Sequence, residues 1–144
     1  MWIQAPTDYA MRILLHLHEH SGQLHTAMSV AQAVGLSYSV FTKTATTLKE
    51  HGLITTVLGQ SGGYALGKPA DEISVYDVFL ATQGEMQINP HQNKARHEAG
   101  AVHVFFQGLQ TETIAIFSKQ TIADFGKFRN ERERRIMYEE VTCC

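Results

Sequence analysis

A pair of short amphipathic segments joined by a tight turn constrains the fold more than any other feature of the sequence. Apolar residues recur at helical spacing over residues 27–34 and again over residues 39–51. Gly35-Leu36-Ser37 separates the two segments and places a serine, at 37 or 39, where it can cap the second helix. Gly52 follows the second segment, as glycine commonly does after a helix end. Two helices joined by so short a turn predict a helix-turn-helix.

The second of these helices has distinct inner and outer faces. Its apolar residues Phe41, Ala45 and Leu48 are expected to point inward. Small polar residues and one lysine are expected on the outer face; they are Ser39, Thr42, Lys43, Thr46 and Thr47. Such a face is typical of a helix that enters a groove of DNA.

A predicted β-hairpin follows directly. Residues 53–58 are apolar and β-branched, and residues 64–68 can pair with them. The connecting loop, Gly59-Gln60-Ser61-Gly62-Gly63, supplies glycines where the backbone is expected to need positive φ. A hairpin after a helix-turn-helix is a wing. The predicted fold is therefore mostly α with a small β-hairpin wing: a winged helix-turn-helix domain followed by a long C-terminal dimerisation helix.

Further helices are predicted on either side of this unit. One covers residues 7–20 with Thr7 as its N-cap, and another begins at Ser74, which is placed near a capping box with Asp77. The helix over residues 27–34 is expected to bury Met28, Val30, Ala31 and Val34. The predicted division of the chain is 1–84 as a winged helix-turn-helix DNA-binding domain, 85–99 as a sensor-like loop, 100–128 as a dimerisation helix and a following short helix, and 129–144 as a charged C-terminal tail.

The late helix carries a wide apolar face. Its apolar residues recur near heptad spacing, and the face can either fold back on the winged domain or pair with a second copy of the chain. The width of the face favours the second alternative. The residues expected in the pairing are Val102, Phe105, Phe106, Leu109, Ile116 and Phe117.

The composition restricts the compartment and the class of function. No stretch of the 144 residues is long and apolar enough to span a membrane, and the N-terminus lacks the features of a signal peptide, so we expect a cytoplasmic protein without a membrane partner. The only cysteines, Cys143 and Cys144, are terminal neighbours, which excludes a disulfide framework. Nothing resembles a nucleophile–base pair or a phosphate loop, so the chain is not expected to be an enzyme.

The charge distribution predicts only modest affinity for nucleic acid. Residues 1–84 contain four basic and six acidic side chains, a net charge of −2. Fewer basic side chains mean fewer phosphate contacts and a weaker dependence of binding on salt.

An ordered series of short motifs resembles the Rrf-type family of bacterial winged-helix transcriptional regulators, which includes regulators of the IscR, NsrR and CymR type. The motifs are Asp8-Tyr9-Ala10-Met11-Arg12, Val30-Ala31, Gly35-Leu36-Ser37, Leu48-Lys49-Glu50-His51-Gly52-Leu53-Ile54, Gly62-Gly63-Tyr64-Ala65-Leu66 and Glu72-Ile73-Ser74-Val75-Tyr76-Asp77-Val78. The resemblance implies a homodimeric DNA-binding transcription factor, usually a repressor, that reads a pseudo-palindromic operator in double-stranded DNA.

The resemblance also assigns candidate DNA-binding residues. Ser39, Thr42, Lys43 and Thr46 on the outer helix face would lie toward the major groove, and Gly62, Gly63 and Tyr64 would shape the wing near the minor groove. The chain departs from the family pattern at two wing positions that commonly carry arginine, here Leu58 and Ala65. An alternative is therefore a dimeric winged-helix interaction module with weakened or lost DNA binding.

Three histidines occupy the positions of the family's cluster-binding cysteines. They are His91, His97 and His103. The absence of thiolates there argues against an iron–sulfur cluster. Two interpretations stay open: the imidazoles bind Zn²⁺ or another divalent metal such as Fe²⁺ or Ni²⁺, making the loop a metal or small-ligand sensor, or the sensor was lost in a chain that has 8 histidines. His16, His18 and His20 alternate by two, cannot all share one helical face and are expected at the surface.

Overall fold

The computed structural model describes residues 2–89 and 100–142, apart from the side chains of Arg134 and of residues 136–142. In these residues six helices accompany one two-stranded antiparallel sheet. The elements are α1 (Ala5–Glu19), α2 (Ala27–Val34), α3 (Tyr38–Glu50), β1 (Ile54–Val57), β2 (Gly63–Leu66), α4 (Val75–Gln83), α5 (Gly100–Lys119) and α6 (Ile122–Thr142), with a 3₁₀ turn (Ala70–Glu72) before α4. The predicted mostly helical fold with a hairpin wing is confirmed.

One hydrophobic core joins these elements. Each of the first four helices buries one apolar face in it, and β1 and α6 add one residue each, Ile54 and Ile122. Full burial of such a side chain stabilises the folded state by about 1.5–3 kcal/mol. The inner face of α3 is placed as predicted: Phe41, Ala45 and Leu48 are buried.

Local hydrogen bonds begin the helices of the helix-turn-helix and the helix that follows it. The Ser37 hydroxyl accepts from the Val40 amide at the start of α3, so the predicted serine cap is confirmed at Ser37. Ser74 and Asp77 form the predicted capping box of α4. Gly35 ends α2 with φ at 71°, a conformation that glycine adopts without a steric penalty.

Two predictions about the first helices are wrong. α1 begins at Ala5, with Gln4 as its N-cap, and Thr7 lies inside the helix, where its buried hydroxyl donates to Gln83 Oε1 at 2.6 Å. This contact links residues 76 positions apart, which no local motif reveals. Met28 is 53% exposed rather than buried, because the short α2 reaches the core through Val30 and Ala31.

The C-terminal part of the chain consists of two long helices. No side chain of α5 is buried, and α5 contacts α4 through a T-shaped pair of the rings of Phe117 and Phe79, with 6.2 Å between centroids. The segment predicted as a charged C-terminal tail is helical in its described part, because α6 continues without a break across residue 128 to Thr142. α6 packs along α1, with Ile122 fully buried and Arg129 Nη1 2.9 Å from Glu19 Oε2.

Backbone hydrogen bonds join the turn between α5 and α6 to the start of α4. The Val75 amide donates to the Gln120 carbonyl at 2.8 Å, and the Ile122 amide donates to the Ile73 carbonyl at 3.0 Å. The long helices are thereby attached to the first domain at a fixed place. No helix within residues 2–89 and 100–142 combines the length and the hydropathy that crossing a bilayer requires.

Candidate nucleic-acid interface

The outer face of α3 presents hydroxyl groups and one ammonium group to solvent. Ser39, Lys43 and Thr46 are exposed, and Thr42 is half-buried. The hydroxyls of Thr42 and Thr46 donate to backbone carbonyls three and four residues earlier, at 3.0 Å and 2.9 Å. Each hydroxyl oxygen retains acceptor capacity for a donor outside the helix. The four predicted major-groove residues therefore lie on one accessible surface, which we call the α3 face.

The inner face of α3 fixes the orientation of the helix. Phe41 is fully buried, and its ring forms a T-shaped pair with Tyr64 of the wing, with 5.2 Å between centroids and an interplanar angle of 86°. Aromatic pairs of this geometry contribute about 0.5–1.5 kcal/mol beyond the area they bury. Tyr64, one of the residues predicted to shape the wing, packs its ring toward the core and holds the wing against α3.

The glycines of the wing loop serve two different purposes. Gly59 has φ at 114°, so the prediction of positive φ holds there. At Gly62 and Gly63 that prediction is wrong, and the constraint is space. A Cβ on Gly62 would overlap the Val57 carbonyl oxygen, and a Cβ on Gly63 would lie 2.6 Å from the His25 carbonyl oxygen.

The segment before α2 pairs with the wing as a single-residue third strand. The Tyr64 amide donates to the His25 carbonyl at 2.8 Å, and the His25 amide donates to the Tyr64 carbonyl at 3.3 Å. No sequence motif predicts this pairing, because it joins residues far apart in the chain through backbone atoms alone. β2 therefore pairs with β1 along one edge and with His25 along the other. Leu58, close to the loop of the wing, is exposed.

Few cationic groups are free near this surface. Arg12 Nη2 lies 2.7 Å from Asp8 Oδ2, and Lys68 Nζ lies 3.7 Å from Asp77 Oδ2. Among the described residues, Lys43 and Lys49 form no ion pair. The α3 face therefore owes its positive charge mainly to Lys43.

Three histidines meet beside the wing: His16 in the last turn of α1, His20 at its C-cap, and His25 in the segment before α2. His16 and His20 lie one helical turn apart, with ring centroids 4.3 Å from each other, while the His25 ring lies 5.3 Å from His16 and 5.8 Å from His20. We call these residues the His16 cluster. Partial burial, with the nearby His20, His25 and Arg129, lowers the pKa of His16 below its usual value.

Of the three predicted metal ligands, the structure describes His103. His91 and His97 lie outside the described residues. His103 is half-buried in α5, and its Nδ1 is buried with no hydrogen-bond partner among the described residues.

A recognition helix with a buried inner face and a polar outer face, held by an attached hairpin, defines a winged helix-turn-helix protein. The chain belongs to the Rrf2 family: the family model described as "Rrf2: Iron-dependent Transcriptional regulator" matches residues 3–127. This confirms the resemblance noted in the sequence, and the matched description is that of a transcriptional regulator rather than an enzyme.

Curated relatives agree with this assignment. The chain is 30% identical over 121 residues to the HTH-type transcriptional regulator IscR of Erwinia tasmaniensis, covering 81% of this chain and 73% of that one. It is 34% identical over 83 residues to protein aau3 of Rhizobium meliloti, covering 58% of this chain and 54% of that one. It is 33% identical over 89 residues to NsrR of Shouchella clausii, covering 61% and 60% of the two chains. In the second and third comparisons the chain spans less than two thirds of the relative.

Solved structures share the fold. CymR of B. subtilis superposes with a TM-score of 0.73 at 20% identity, over 89% of this chain and 98% of that one. IscR of T. potens gives a TM-score of 0.73 at 20% identity, over 92% and 90% of the two chains. At these identities the similarity concerns architecture alone.

Proposed function

We propose that the chain acts as a homodimeric transcriptional repressor that places α3 in the major groove of a pseudo-palindromic operator. The observation that carries the proposal is the α3 face: its hydroxyls and Lys43 are accessible, while Phe41 and Tyr64 lock the opposite side of the helix. A rigid helix with donors and acceptors on one surface can contact base edges and phosphates in a fixed register. A dimer seated on two half-sites excludes other proteins from the same DNA.

The exposed face of α5 supports the dimer. Phe105 is 63% exposed and Ile116 is 61% exposed, and Val102 and Leu109 are also exposed. Monomeric proteins rarely expose apolar side chains in a continuous group. Phe106 and Phe117 are half-buried beside them. Pairing α5 with α5 of a second copy would remove this surface from water and hold two α3 faces at a fixed separation.

A dimeric interaction module without DNA binding is the second candidate. The observation that favours it is the low positive charge of the first domain, where ion pairs occupy Arg12 and Lys68. Such a module would show no preference for its own promoter DNA at any salt concentration, whereas a regulator would bind that DNA best at low salt.

Replacing Lys43 by alanine should weaken binding to DNA from the chain's own promoter region. Loss of one phosphate contact per subunit should lower the slope of log affinity against log salt by about 1 per subunit. Gel retardation or fluorescence anisotropy at several salt concentrations measures both quantities. K49A is the matched control, because it removes the same charge from the end of the same helix. Equal losses in the two variants would contradict a specific role for Lys43.

The donor chemistry of the chain does not fit an iron–sulfur cluster. Such clusters depend on cysteine thiolates for most of their ligands, and the only cysteines are the terminal pair at 143 and 144. The unpartnered Nδ1 of His103 is compatible with a cation bound by imidazole. We propose that His91, His97 and His103 bind a borderline divalent cation such as Zn²⁺.

Metal analysis of untagged protein tests the loop site. We expect the wild-type chain to retain a divalent metal through purification without chelator, and H103A to retain less. An H103A variant that keeps the same metal content, with an unchanged circular dichroism spectrum, would exclude His103 as a ligand.

A further inference from the structure

The His16 cluster is a second group of potential metal ligands, far in sequence from the loop histidines. His16 lies in the last turn of α1, and His20 is the C-cap residue of that helix. Their spacing of four residues is the one by which two histidines chelate a metal in helical zinc sites. His25 reaches the same place from the segment before α2. The three side chains therefore converge from a helix and an adjoining segment whose positions are both fixed by the fold.

In His20 and His25, one ring nitrogen forms a hydrogen bond and the other is left free to bind a metal. His20 Nδ1 lies 2.9 Å from the His16 carbonyl oxygen, and His25 Nε2 lies 3.2 Å from the His20 carbonyl oxygen. Because a carbonyl oxygen can only accept, these ring nitrogens carry the protons. In the neutral rings the other nitrogens, Nε2 of His20 and Nδ1 of His25, then present lone pairs. A backbone carbonyl on the far nitrogen is the usual outer-shell partner of a metal-binding histidine.

The ring separations also suit a shared ion. In a tetrahedral site with metal–nitrogen distances of about 2.0–2.1 Å, the centres of two imidazoles lie about 5 Å apart. The separations in the His16 cluster, 4.3, 5.3 and 5.8 Å, fall on both sides of that value. Among the described residues, however, no three ligand side chains already surround a point that a metal could occupy. Small rotations of the rings must accompany binding.

An open groove gives a cation access to the rings of His16 and His20. It has a volume of about 490 Å³ and is lined by α1, the end of α2 and Arg129, with His16 and His20 on its wall. Glu19, the carboxylate nearest in sequence, is paired with Arg129 at 2.9 Å. The imidazoles are therefore the available ligands in this groove, and water would complete the coordination.

We propose that His16, His20 and His25 form a binding site for a borderline divalent transition-metal cation, with Zn²⁺ as the test ion. The site would tie the last turn of α1 to the segment whose backbone pairs with Tyr64 of the wing. Metal occupancy would then restrain the wing through this backbone pairing. This inference stands apart from the loop site and does not require the chain to bind DNA.

The test is a zinc titration of the full chain in competition with a chromophoric chelator. The background variant carries H91A, H97A and H103A together with C143S and C144S, so that neither the loop nor the terminal thiols contribute. We expect one zinc ion per chain, and H20A or H25A in that background should weaken binding at least about tenfold, since even loss of an outer-shell partner costs about 10–100-fold.

His51 provides a matched control. Its Nδ1 lies 2.9 Å from the Thr47 carbonyl oxygen, the same i−4 arrangement as His20, but it has no imidazole neighbour among the described residues. H51A should leave zinc affinity unchanged. Absence of saturable zinc binding in the background variant, or equal affinity in H20A, would overturn the proposal. His20 is exposed, so H20A should fold normally and decide the question even if H25A disturbs the wing; circular dichroism checks the fold of each variant.

Discussion

Replacing both Phe105 and Leu109 by glutamate should convert the proposed dimer into monomers and lower its affinity for operator DNA at least about 100-fold, because each half-site would then be bound independently. Both side chains are exposed in the single chain, so the substitutions should not unfold it. In the proposed α5 pairing they would place four carboxylates at an apolar contact, where unpaired charges are strongly unfavourable. Analytical ultracentrifugation and DNA binding measure the two effects.

Q107E is the control for this prediction, since Gln107 is an exposed residue of the same helix that lies off the apolar stripe. It should remain dimeric. A double variant that still sediments as a dimer would show that α5 does not form the interface. A monomeric variant that binds the operator as tightly as the wild type would show that pairing is irrelevant to recognition.

Replacing Phe41 by alanine should produce the largest loss of stability among single substitutions in α3. The ring is fully buried and supports Tyr64, so its removal leaves a cavity between the helix and the wing. Truncation of a buried phenylalanine typically lowers the free energy of unfolding by about 3–5 kcal/mol. For a chain of this size we expect a fall in Tm of roughly 10–15 °C. Urea denaturation and thermal melting followed by circular dichroism measure the change.

Y38A is the control for this prediction, because it also removes an aromatic ring from α3 but not one that is packed in the core. Tyr38 begins the same helix but is 54% exposed. Its truncation should lower the free energy of unfolding much less than F41A does. Similar losses of unfolding free energy in the two variants would mean that the Phe41–Tyr64 contact contributes little to the stability of the domain.

The parts of the fold that were predictable depend on short-range patterns. The serine cap at Ser37, the capping box of Ser74 and Asp77, and the glycine that ends α2 all act within a few residues. The same holds for the inner face of α3, which follows from helical periodicity. These features locate the α3 face correctly, because its geometry depends on one helix and one turn.

The features that the sequence did not reveal depend on contacts between distant segments. Thr7 resembles an N-cap in the sequence, but its hydroxyl donates a hydrogen bond to Gln83, which lies 76 residues away. The pairing of His25 with Tyr64 explains why Gly63 cannot carry a side chain, a reason unrelated to φ. The His16 cluster was not predicted, because it joins a residue of α1 and its C-cap, His20, to His25 of the following segment.

The backbone hydrogen bonds of Val75 and Ile122 across to Gln120 and Ile73 have a geometric consequence for operator choice. They attach the C-terminal end of α5 directly to the domain that carries α3. In a dimer built on α5, the distance between the two recognition helices would be set by the crossing of the two α5 helices. Half-sites one helical turn apart lie about 34–36 Å from each other. One extra base pair moves the second half-site by about 3.4 Å and rotates it about the DNA axis, away from its recognition helix. The dimer should therefore bind operators of a single spacer length.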